Sequence, residues 1–328
     1  MQTTKQIQLT DIEPHMAVLQ GWLRGNIVGM YAGLKMKNGK ETDQCAVVLH
    51  VEYKKSPDRL AMDGDTPIPP FFELPFPQSG GGHVMVNVPT DVQEIGPIEV
   101  KYPVLERKVG DSSDFERPCP GGYQIQAGGL PSYGTLGANI KYNNKYRMIS
   151  CNHVISCNGM YEDVYQPDMT EQYYYLTKVT DYIKLTTYPT KDQEDPYYNT
   201  VDFAWCNIAA TNGSPEIQDI GVPTGFAAPA VGMEVSYFGA STNEVTKTSI
   251  KSTTYQGVIN VFGDRYAWFK NMINLTDSYA VPGDSGAVLV NNNMEIVGML
   301  QSITLLRTLA CTIPDSNEVF AERENQTV

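Results

Sequence analysis

Short apolar segments recur along this chain at intervals of about ten residues, each closed off by turn residues. From Gly121 they read YQIQAG, TLGANIKY, KYRMISCNHVI, YYYLTKVTDYIKL and TVDFAWCNI. From Gly213 a second set follows: GMEVSYFGA, TKTSIKSTTY, GVINVFG, NMINLTD, GAVLV and EIVGMLQSIT. Val, Ile, Tyr and Thr fill them, as a pleated, half-buried surface prefers. No helical pattern lies between them. Strands at this spacing build barrels or sandwiches. Only the end, PDSNEVFAERENQTV, reads as a short helix, with Asp315 or Ser316 as its cap.

The rest of the chain divides around this rhythm. Residues 1–105 read as a small N-terminal α+β domain. Its clearest signal is a hairpin, NIVGMYAGLKM and QCAVVLHVEYKK, with Asn38-Gly39 in the turn. The stretch TPIPPFFELPFPQSGGG is read as a loop, because proline and glycine work against regular structure there. HVMVNVPTDVQEIGPIEV alternates like an edge strand. Residues 106–120 are charged and turn-rich and are taken as a linker. Residues 121–212 then form a first barrel, and residues 213–328 a second.

Composition narrows the function. At 328 residues and 41% hydrophobic, the chain can build a sizeable core. A net charge of −13 argues against a nucleic-acid partner, whose phosphates it would repel. No run approaches the length of a membrane span, and the polar N-terminus lacks a signal-peptide pattern. Six scattered cysteines are expected to be free thiols in a reducing compartment, so the chain is read as cytoplasmic.

Gly283-Asp284-Ser285-Gly286 interrupts the apolar stretch VPGDSGAVLV. A serine hydroxyl is a poor nucleophile unless a base takes its proton and a carboxylate orients that base. Glycine two residues before the serine allows a backbone that aims two N–H groups, those of Gly283 and Ser285, at a developing oxyanion. Of the four histidines, His15 lies in the N-terminal tail, His50 in a strand and His83 in a glycine loop. His153 ends the apolar strand of RMISCNHVIS, where a functional side chain can leave a barrel. Asp202 is a single acid inside the apolar NTVDFAWCNI, costly to bury unless it accepts hydrogen bonds. Asp163, Asp168, Asp181, Asp192 and Asp195 lie in polar loops and are weaker candidates.

The order His, Asp, Ser resembles the chymotrypsin-like serine proteases. The segments RPCPGGYQIQ, YGTLGANIKYNNKYRMISCNHVI, VYQPD, NTVDFAWCNI, VGMEVSYFGAST and VPGDSGAVLVNNNMEIVGML narrow it further. Together they resemble the bacterial trypsin-like peptidases related to the plant narrow-leaf protein. The first block also matches that family's N-terminal domain loosely. The resemblance implies a double antiparallel β-barrel with an additional N-terminal domain and the site in the cleft between barrels. It implies a serine endopeptidase with His153 as base, Asp202 as orienting acid and Ser285 as nucleophile. By position it puts Tyr279 and Ala280 near the floor of the specificity pocket. It also assigns Gln301, Ser302 and Ile303 to the strand that pairs with substrate. No metal or cofactor is implied; the partner is a protein or peptide substrate, and a homo-oligomer is left open.

Two departures stand out. GASTNEVTK replaces a glycine- and threonine-rich loop and is expected to lie away from the triad; Ala287 takes a place where serine or glycine is common. Asp284 is expected to be satisfied locally, not by a freed N-terminal amine. Cys151, His153 and Cys157 offer a C-x-H-x3-C pattern, but a structural zinc needs four ligands. The other class of function is an inactive barrel scaffold that only binds.

Overall fold

The computed structural model describes residues 7–78, 80–103, 112–276, 279–303 and 308–313. The C-terminal helix expected near Asp315 lies outside them.

The N-terminal block holds β1 (Ile27–Lys37), β2 (Lys40–Val51), β3 (Phe71–Pro77) and β4 (His83–Glu94). Asn38 and Gly39 join β1 to β2 with φ of 53° and 75°, as a two-residue hairpin turn demands. β4 lies between β2 and β3 and is not an edge. The edge is β3, formed by part of the proline-rich stretch read as a loop. Phe72, Leu74 and Phe76 point into the core, while Pro75 and Pro77 alternate outward. Proline lacks the N–H that an inner strand must donate, and an edge tolerates that loss.

The first barrel contains β5 (Cys119–Gly121), β6 (Gln124–Ala127), β7 (Gly134–Thr135), β8 (Ala138–Tyr142), β9 (Lys145–Ser150), β10 (Asp163–Tyr165) and β11 (Tyr175–Tyr182). After β12 (Tyr198–Asn199), which joins the other sheet, β13 (Ala204–Ile208) and β14 (Gly213–Ile217) follow. Its sheet runs β7-β6-β10-β11-β13-β9-β8, antiparallel throughout. The two end strands, β7 and β8, are separated in sequence only by Leu136 and Gly137. The sheet must therefore curl round to meet itself. β5 pairs instead with β14.

The remaining strands are β15 (Gly225–Phe226), β16 (Glu234–Phe238), β17 (Val245–Val261), β18 (Arg265–Leu275), β19 (Val288–Asn291), β20 (Glu295–Ile303) and β21 (Thr308–Cys311). Antiparallel pairings run β16-β17-β18-β21-β20-β19 and back to β16, which closes a ring. The architecture is mainly β, a chymotrypsin-like pair of antiparallel barrels. One apolar cluster joins them: Ile125, Met148 and Ile149 from the first, Phe269, Val288 and Met299 from the second.

The N-terminal sheet runs on from the second barrel. β1 pairs with β17 at Gly29↔Gly257 and Met30↔Gln256. Gly29 is required there, because a Cβ would collide with the Tyr255 ring. Trp268 of β18 packs with Met16, Leu23, Met30 and Leu49, and its Nε1–H donates to the Leu23 carbonyl at 3.3 Å. Among the described residues no helix is long and apolar enough to cross a membrane.

Candidate active site

Ser285 sits in the turn that leads into β19, and two glycines make that turn possible. Gly283 has φ of 101° and Gly286 of 99°, in the left-handed region that glycine alone enters freely. A Cβ on Gly283 would strike Ser241 and the Tyr133 ring; one on Gly286 would strike the Thr135 carbonyl and the Ser150 hydroxyl. The first barrel sews this turn down. Thr135 donates its N–H to the Ser285 carbonyl at 2.8 Å and its hydroxyl to the Gly283 carbonyl at 2.8 Å. Among the described residues, the N–H groups of Gly283 and Ser285 have no acceptor.

His153 comes from α1 (Asn152–Ile155), a single turn directly after β9. β13 pairs with β9 so that Ala204 faces Ser150. That register brings Asp202, two residues ahead of Ala204, beside the histidine. Asp202 Oδ2 lies 2.5 Å from His153 Nδ1, and Oδ1 accepts the His153 backbone N–H at 3.1 Å. Asp202 is 0% exposed and His153 is 1% exposed. A buried carboxylate is tolerable only with such donors. With the proton on Nδ1, facing the carboxylate, Nε2 is left as an acceptor. That Nε2 is buried and has no hydrogen-bond partner among the described residues.

Gln301 touches both halves of the arrangement. Its carbonyl accepts the Ser285 hydroxyl at 3.1 Å, while its side-chain Nε2 reaches Asp202 Oδ2 at 3.4 Å. Its Oε1 in turn accepts the Cys311 thiol at 2.8 Å. The histidine and the aspartate are thus joined, and the serine hydroxyl is turned to Gln301 instead of to His153. Sequence reading placed Gln301 on a substrate-pairing strand and gave no sign of this bridging contact.

Three thiols pack behind the acid. Burial, and then the Asp202 charge, holds the Cys151 and Cys311 thiols well above the ordinary thiol range and pushes Cys157 up to about 12. All six cysteines are free. Ligand atoms of Cys151, His153 and Asp202 lie within 4.8 Å of one another. Cys157, the other cysteine of the C-x-H-x3-C pattern, donates to the His153 carbonyl at 3.2 Å instead. A thiol kept protonated by burial is a poor metal ligand, and His153 Nδ1 is already committed to Asp202.

Asp284 is buried beside the nucleophile. Ser241 N–H (3.0 Å), Thr242 N–H (2.9 Å), the Thr242 hydroxyl and Val281 N–H (2.9 Å) all donate to it. Its carboxylate is therefore satisfied within the chain. This corrects one expectation: the GASTNEVTK loop does not lie apart but supplies three of those four donors. Burial raises the Asp284 carboxyl above its ordinary range, and these hydrogen bonds oppose the rise. The folded state then holds this proton more tightly than the unfolded chain does. Between the ordinary aspartate value and the raised one, Asp284 lowers stability as pH rises. Thr242→Val removes one opposing donor, so stability should fall more steeply across that window than in the wild type. Urea unfolding at a series of pH values measures the difference; parallel curves would refute it.

The proposed substrate contacts separate. Ala280, Gln301 and Ser302 line a small recess beside Ser285. Tyr279 does not join them; it is 57% exposed. Ile303 ends β20, and its side chain lies outside the described residues.

The site therefore draws on both barrels, a His–Asp pair from one and a Gly-Asp-Ser-Gly turn from the other. No protein-family model matches the sequence, and no curated protein matches it. Solved structures do. An alpha-lytic protease homologue, N4, is 16% identical with a TM-score of 0.44, covering 62% of this chain and 96% of its own. Protease A of Thermobifida fusca is 17% identical with a TM-score of 0.44, over 62% and 95%. A glutamic acid specific serine protease is 16% identical with a TM-score of 0.42, over 61% and 97%.

Proposed function

We propose that this chain is a serine endopeptidase that cleaves peptide bonds through an acyl-enzyme on Ser285. One observation carries the reading. A buried imidazole is held by a buried carboxylate at 2.5 Å, and its other nitrogen has no partner among the described residues. Other buried polar atoms lack a described partner as well; what sets this nitrogen apart is the carboxylate that holds the opposite side of its ring.

The chemistry follows from that nitrogen. The Ser285 hydroxyl turns from the Gln301 carbonyl to His153, and Nε2 takes its proton as Oγ attacks the scissile carbonyl. Asp202 stays ionised and stabilises the imidazolium. The unpaired N–H groups of Gly283 and Ser285 receive the oxyanion. As the tetrahedral species collapses, Nε2 returns the proton to the leaving amine. Water then repeats the sequence on the acyl-enzyme. Gln301 and Ser302, with Ile303, provide strand edge for the substrate backbone, and Ala280 lines its side-chain recess. The six free thiols support a reducing, cytoplasmic setting, and a bacterial source rests on the sequence resemblance alone. The chain divides near residues 105, 120 and 212 into an N-terminal domain, a linker and two barrels, with the β5–β14 pair running across the last two boundaries.

The Ser285–Gln301 contact favours a second reading, an inactive scaffold whose serine never meets the base. A fluorophosphonate probe separates the two. Incubation should place the label on the peptide that contains Ser285, together with hydrolysis of a peptide library. Labelling confined to other residues, with no hydrolysis, would leave only the scaffold.

A further inference from the structure

We propose that Lys101, Tyr102 and Pro103 form a built-in strap across the catalytic cleft, so that the protein works slowly until the strap withdraws. This rests on the serine-peptidase reading above.

The strap begins in an alternating sequence. Ile98 and Val100 are buried in the shared core, and Tyr102 packs against that core, while Glu99 and Lys101 face outward. The first part is fixed to the second barrel. Val100 N–H donates to the Asn260 carbonyl at 2.9 Å, and Asn260 N–H donates to the Ile98 carbonyl at 2.9 Å. From that anchor the next three residues cross the machinery one after another. Lys101 closes the recess whose other walls include Ser285, Gln301, Ser302 and Ala280. Its ammonium meets Glu99 at 3.4 Å, so the strap neutralises its own charge. The Tyr102 ring stands edge-on to the His153 imidazole, centroids 6.2 Å apart at 81°. Pro103 packs beside Gly283, and its carbonyl accepts the Ser132 hydroxyl at 2.8 Å.

Nucleophile, base and oxyanion loop are thus each met by a consecutive residue of one segment. A general base must be reached by the group whose proton it takes, yet His153 is 1% exposed. A substrate strand alongside Gln301 and Ser302 needs the space that Lys101 fills. The strap enters from the N-terminal block, so that block holds the cleft shut through the Asn260 pairing.

Tyr102→Ala opens the base without touching Ser285, His153 or Asp202. Two rates are read: fluorophosphonate labelling of Ser285, and diethyl pyrocarbonate modification of His153 in a Ser285→Ala background, both located by mass spectrometry. Each should rise at least ~10-fold over the protein with Tyr102. If Tyr102→Ala does not fold, Pro103→Gly loosens the strap beyond the anchored Val100 and carries the same expectation. Unchanged His153 modification in a folded variant overturns the strap. So does wild-type labelling as fast as that of the opened variant. Absence of Ser285 labelling in every protein overturns the peptidase reading instead, and the His153 rate still decides whether the strap covers the base.

Discussion

Ser285→Ala lowers peptide hydrolysis by about 10⁶-fold, to the residual rate that binding and the oxyanion donors alone sustain. The fold should hardly notice. Ser285 is partly exposed, and its hydroxyl makes one described hydrogen bond, to the Gln301 carbonyl. The backbone bonds that fix the turn, from Thr135 and to Leu300, do not involve the side chain. Unfolding midpoint and near-ultraviolet circular dichroism should match the wild type while turnover disappears. Undiminished hydrolysis by the variant would end the serine mechanism outright.

Asp202→Asn should cost about 10⁴-fold in kcat, and for a more subtle reason. The carboxylate accepts twice from His153, once from the backbone N–H and once from Nδ1. An asparagine has one oxygen. If that oxygen keeps the backbone N–H, its NH₂ group faces Nδ1 and can only donate. The imidazole must then carry its proton on Nε2, where it cannot accept one from Ser285. The replacement is nearly isosteric, so the rate should fall while His153 keeps its place. A pH–rate profile checks this, since activity should recover partly where hydroxide supplies the missing base. A variant with wild-type kcat would show that His153 needs no orienting acid.

Much of this was legible in the sequence because the signals are local. The strand rhythm, the Asn38-Gly39 turn and the Gly-Asp-Ser-Gly turn are each set by a few neighbouring residues. His153 and Asp202 could be singled out because each breaks an apolar strand with a group that burial penalises. What stayed hidden depends on partners far away in the chain. TKTSIKSTTY and GVINVFG read as two strands, yet they form the single β17, whose register shifts let it serve both the barrel and β1. The proline-rich stretch read as a loop became β3 because it pairs on one side only. Gln301 looked like any strand residue; its reach to Asp202 is a fact of packing. Tyr102 left a faint trace, the alternation Ile98, Val100, Tyr102, which speaks of a buried face but not of whose face it meets.

The proline edge has a consequence of its own. A sheet that continues from a closed barrel through β1, β2 and β4 must stop somewhere, and an open rim invites another chain to extend it. Pro75 and Pro77 occupy alternate positions on the outermost strand, so the rim lacks donors where an incoming strand would look for them. The segment that seemed least able to form structure leaves this rim a poor template for a further strand.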